Sequence, residues 1–240
     1  MLHSNDAEAS KKQTTNTARA VIVLSLCAAF LFYKYILQNF PSVMSQQLMD
    51  SFHLQGLGLG ALSGVYFWTY LIVPLFAGII LDHYGTRWIT TGAILCCVVG
   101  IYIFSQAEQL DAAVFGRTLT GVGVSFATIS YLKLASVWFA KKHYALLTSL
   151  LVAAGMIGAV CGQMPLAWLV EQVGWRASLA DVAWIGGLFA LVFFIFVKDK
   201  PSTVATHEHQ TLSPQNSIWQ DILSIIKNKQ NWLLTARLSH

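Results

Sequence analysis

Gly78-Ile79-Ile80-Leu81-Asp82-His83-Tyr84-Gly85-Thr86-Arg87 is a short polar break between two long apolar blocks, residues 58–81 and 88–106. Gly85 suits a tight turn, and Gly78 suits a close approach of helices. Asp82 can accept hydrogen bonds at a helix end, and Arg87 can pair with a carboxylate or cap a carbonyl. A helix that crosses a bilayer needs about 20 apolar residues, whereas a buried strand needs only about 4–8. The two flanking blocks are of the membrane-crossing length, so the quoted stretch reads as the turn between two transmembrane helices.

Four more such blocks lie outward from this turn, at residues 20–40, 112–138, 144–170 and 178–197. None shows the period-two alternation of a barrel strand, and a helix satisfies its own backbone polar groups in lipid. The composition agrees: 55% of the residues are hydrophobic and 11% charged, against about a quarter charged in a soluble domain. The expected fold is an all-α membrane protein, a bundle of six transmembrane helices spanning residues 20–197. Residues 1–19 form a polar lead with Asp6, Glu8, Lys11, Lys12 and Arg19, unlike a cleavable signal peptide. Residues 198–217 read as a polar linker, and 218–240 as an amphipathic segment followed by the truncated start of a second bundle.

Lys and Arg set the orientation. Lys11, Lys12, Arg19, Arg87, Lys141, Lys142, Lys198 and Lys200 all fall on one side if there are six crossings, and Arg176 is alone on the other. Both termini are therefore expected in the cytoplasm. The net charge of +4 comes from residues that flank apolar blocks, which is a topology signal and not a nucleic-acid surface. Cys27, Cys96, Cys97 and Cys161 lie inside apolar blocks without metal-ligand spacing, so neither a disulfide framework nor a metal site is expected. No histidine lies deep in a block and no glycine-rich phosphate loop with lysine is present. These features leave no enzyme reading and no cofactor.

A second motif opens the fourth block: Arg117-Thr118-Leu119-Thr120-Gly121-Val122-Gly123. An arginine two turns into a span is costly unless it faces a partner or a watery cavity; otherwise it snorkels to the surface. Lys34 lies in the outer half of the first block, where it can bind an anionic group or snorkel among tyrosines. Lys133 is about 160° around the helix from Arg117, so the two cannot both face one cavity. Arg117 shares its face with Thr128 and Tyr131. Tyr66 and Tyr70 form an i,i+4 pair that either lines a cavity or packs. Gly158 and Gly162 in the fifth block form a small-xxx-small pair suited to close helix packing.

The first quoted stretch resembles the loop G-x-x-x-D-(R/K)-x-G-x-(R/K) of the major facilitator superfamily, with His83 in place of the usual basic residue. The second motif resembles that superfamily's R-x-x-x-G-x-G element. The run Phe32 to Met44 is similar to a subgroup, the phagosomal nutrient transporters of intracellular bacteria. The resemblance implies secondary active transport of a small polar metabolite, such as an amino acid, nucleoside or organic anion, across a bacterial inner membrane by alternating access. It implies that Gly78, Asp82, Gly85 and Arg87 form a conformational latch, and that Arg117, Gly121 and Gly123 form the fourth-helix element. The expected substrate contacts are Lys34, Tyr66, Tyr70, Tyr131 and Lys133. The implied partners are a small-molecule substrate, membrane lipid, and a second six-helix bundle supplied by a C-terminal half or by another copy of the chain. A non-transporting scaffold or inactive remnant is the alternative.

Overall fold

The computed structural model describes residues 2–139 and 143–197, with side chains from residue 20 onward. The expected linker and amphipathic segment, 198–240, lie outside the described residues. Among the described residues the chain is helical from end to end. The helices are α1 Leu2–Val43, α2 Ser45–Phe52, α3 Gly56–Ile72, α4 Pro74–Tyr84, α5 Thr86–Ser105, α6 Leu110–Trp138, α7 Tyr144–Cys161, α8 Gln163–Val173 and α9 Trp175–Phe196.

Six crossings result. Ala20–Val43, Thr86–Ser105, Leu110–Trp138, Tyr144–Val173 and Trp175–Phe196 are each long and apolar enough to span a membrane. The sixth is α3 with α4, bent by 51°. The sequence reads 58–81 as one span, but Pro74 breaks it: proline has no N–H for the Tyr70 carbonyl four residues earlier. Pro165 does the same to the Cys161 carbonyl, and there α7 gives way to α8 while the span continues. The short α2, just beyond the end of α1, was not expected.

The two triplets of crossings repeat one pattern. Each middle span is broken near a proline, and the second pieces, α4 and α8, both have 11 residues. Each then meets a glycine of positive φ, Gly85 at 82° and Gly174 at 81°, a backbone that a side chain would strain. An arginine stands two residues beyond each. Arg87 Nε donates to the Phe194 carbonyl (2.8 Å), near the end of α9. Arg176 Nη2 donates to the Ala107 carbonyl (3.0 Å), just past α5. The antiparallel helices α5 and α9 thus cap each other's last carbonyls, which have no helical donor of their own.

At the centre, α6 packs tightly against α5 and α3. A Cβ on Gly116 would sit 2.6 Å from the Gly100 carbonyl oxygen, one on Gly123 2.9 Å from the Cys97 nitrogen, and one on Gly121 2.9 Å from Thr69 Cβ. On the other side of the bundle, a Cβ on Gly158 would lie 3.1 Å from Phe32 Cα of α1. An aromatic cluster of Phe40, Phe52, Phe104 and Trp175 joins α1, α2, α5 and α9 where α5 ends and α9 begins.

Candidate functional site

Two cations are buried inside the bundle. Lys34 of α1 is 4% exposed and Arg117 of α6 is 1% exposed. Neither snorkels. Lys34 Nζ donates to the Tyr70 hydroxyl at 2.8 Å and lies 4.4 Å from the centre of that ring. The Tyr70 ring runs parallel to that of Tyr66, with centroids 6.2 Å apart, as the i,i+4 spacing on α3 dictates. The Arg117 guanidinium in turn lies 4.4 Å from the Tyr66 ring centre and 4.6 Å from that of Phe40. Lys34, Tyr70, Tyr66 and Arg117 therefore form one continuous row.

The two cations have different partners. Arg117 donates to the Leu37 carbonyl at 2.6 Å and the Gln38 carbonyl at 3.0 Å, binding α6 to α1. Lys34 has the Tyr70 hydroxyl and two aromatic faces. No carboxylate pairs with either cation among the described residues. A buried charge without a counter-ion is costly in a membrane interior, which makes such a residue a candidate functional position. The Tyr66 hydroxyl is also buried without a hydrogen-bond partner.

An open groove of about 580 Å³ starts at Tyr70 and runs between α3–α4 and α6, lined by Phe67, Leu71, Pro74, Ser125, Thr128 and Ile129. Sequence reasoning missed this groove wall except for Tyr70 and Thr128. The signal was Pro74, whose bend opens the space beside Tyr70.

The other expected substrate contacts fall elsewhere. Tyr131 is fully buried and its hydroxyl donates to the Leu147 carbonyl of α7 at 3.0 Å, so it acts in packing. Lys133 forms an ion pair with Asp82 at 2.8 Å and also donates to the Leu81 carbonyl at the end of α4. It belongs with the quoted turn and not with Lys34. The Asp82 side chain is 77% exposed. Gly78 was expected to admit a close helix, yet within this bundle a Cβ there would meet nothing within 4 Å.

The family model described as Major Facilitator Superfamily matches residues 22–239. The uncharacterized transporter YybO of Bacillus subtilis (strain 168) is 26% identical over 205 residues, covering 82% of this chain and 46% of the relative. The probable galactarate/D-glucarate transporter GudP of Escherichia coli (strain K12) is 22% identical over 208 residues, covering 81% and 43%. Among solved structures, a bacterial homologue of the human lysosomal transporter Spinster, inward-facing and unoccupied, superposes with a TM-score of 0.71 at 14% identity. The match covers 89% of this chain and 50% of that one. The chain spans about half the length of the curated transporters it matches. With six crossings in the described fold and a family match over nearly the whole of it, the chain belongs to the major facilitator superfamily.

Proposed function

We propose that this chain forms one wall of a secondary active transporter that moves a small organic anion by alternating access. The observation that carries the reading is Lys34, a lysine buried in a membrane bundle with a tyrosine hydroxyl for a partner and, among the described residues, no carboxylate. An anion entering beside Tyr70 would supply the missing counter-charge, in a setting where a charge-assisted contact is worth about 1.5–3 kcal/mol. The Lys and Arg bias supports both ends in the cytoplasm, and the bacterial relatives favour a bacterial inner membrane. A second six-helix bundle completes the pathway, and the turn at Asp82 acts as the latch between bundles. Substrate in such transporters sits near the midplane between bundles.

Counterflow in proteoliposomes tests the reading. Vesicles loaded with an unlabelled organic acid should take up the labelled acid, and Lys34→Met should reduce that uptake at least tenfold. Counterflow of a neutral nucleoside that Lys34→Met leaves unchanged would contradict it.

A further inference from the structure

The anion reading rests on Lys34, and the wall beside Lys34 constrains what the anion carries. The head site is small. Arg117 commits two guanidinium nitrogens to the Leu37 and Gln38 carbonyls and keeps its Nε buried without a partner, whereas Lys34 is bonded to Tyr70, which lines the groove, and is the cation of the row next to it. One lysine with the Tyr70 hydroxyl suits one carboxylate. On this wall a second carboxylate would lie against Leu71, Pro74 or Ile129, where no lining residue is a cation, and a charge so placed is disfavoured unless the opposing bundle pairs it.

The body site is apolar. Along the groove, Phe67, Leu71, Pro74 and Ile129 supply carbon, and two hydroxyls interrupt it, those of Ser125 and Thr128. Ser125 already donates its proton to the Gly121 carbonyl at 2.7 Å. A polyhydroxylated body laid along this wall would give up water at each hydroxyl and regain few partners, losing roughly tenfold in affinity per unpaired group. An apolar body gains by leaving water. We infer that the substrate is an organic monoanion with an apolar body: one carboxylate held by Lys34 and the Tyr70 hydroxyl, and an aliphatic or aromatic chain along Phe67, Leu71 and Ile129.

The test uses the full chain in lipid nanodiscs and three probes, with Kd read by ligand-observed NMR. The probes are 4-phenylbutanoate, its neutral amide, and gluconate, which has the same charge on a hydroxylated body. The expected order is 4-phenylbutanoate tightest, with the amide and gluconate each at least tenfold weaker. Lys34→Met should erase the preference for acid over amide, and Tyr70→Phe should reduce it. Leu71→Ser should weaken 4-phenylbutanoate and leave gluconate unchanged. Helicity and monodispersity of each variant separate loss of binding from loss of fold. Gluconate binding as tightly as 4-phenylbutanoate, and lost in Lys34→Met, would overturn the apolar-body inference while the anion site stands. An amide that binds as tightly as the acid, or acid binding that Lys34→Met leaves unchanged, would overturn both.

Discussion

Pro41 has no N–H, so the carbonyl of Leu37, four residues earlier in α1, has no helical donor. Arg117 supplies one, and a second to Gln38. The arginine of the fourth span thus satisfies a carbonyl that a proline of the first span leaves open, which explains how a guanidinium can be 1% exposed inside a membrane bundle. Arg117→Met should destabilise the bundle by about 2–4 kcal/mol, since the buried carbonyls lose charge-assisted donors. Pro41→Ala restores a backbone donor to Leu37. In that background Arg117→Met should therefore cost less, by about 1–2 kcal/mol, in a double-mutant cycle read by denaturant titration of helicity. Equal costs in the two backgrounds would break the link between the two residues. The sequence marks Arg117 as needing a partner, but its partner is backbone, and only the i−4 relation from Pro41 points to it. Tyr131 shows the opposite: it shares a polar helix face with Arg117, yet its hydroxyl is taken up by α7. Wheel position alone does not tell a lining residue from a packing one, because both faces of α6 are buried.

Helices here meet through glycine, and direction matters more than number. Gly121 and Gly123 are two residues apart, roughly 200° around α6, so one admits α3 and the other α5. The Gly-x-Gly pattern reads in sequence as one motif, but it serves two interfaces. Gly123→Ala would press a methyl on the backbone of α5, which cannot yield as a side chain can. We expect it to cost about 1–3 kcal/mol or prevent assembly. Gly78→Ala meets open space and should change stability by less than about 0.5 kcal/mol, with the helix preference of alanine in its favour. Comparing the two in the same denaturant titration checks both; equal effects would contradict the packing account. Element existence was legible because six blocks of crossing length leave no other solution in lipid. The breaks in the second and fifth spans were harder to read, since proline marks a place to bend without fixing the angle. The reciprocal caps of α5 and α9 were not legible, because they join Arg87 and Arg176 to carbonyls of distant helices whose pairing no local pattern states.

At the scale of the whole molecule, we propose two tasks for the quoted turn. Arg87 is held at the end of α9, which secures the turn within this bundle. Asp82 is held by Lys133 and remains largely exposed, so a second bundle would have to compete with Lys133 for it. A group that binds one conformation selectively shifts the balance by its differential energy. Asp82→Asn should therefore leave the stability of this bundle nearly unchanged, by less than about 1 kcal/mol for so exposed a pair. In a complete two-bundle transporter it should slow transport, with substrate affinity in one locked conformation little changed. Loss of affinity in the locked state would move Asp82 out of the latch and into the binding site. The proposed substrate wall lies away from that turn, beside the row from Lys34 to Arg117. The most direct test of that wall is the reactivity of a cysteine at Thr128, in a chain freed of its four native cysteines. A membrane-impermeant thiol reagent should label it through an aqueous groove, and 4-phenylbutanoate should slow labelling in the Lys34 protein but not in Lys34→Met. A position 128 that stays unlabelled, or that labels at one rate with and without the acid, would contradict an anion site at Lys34 and Tyr70.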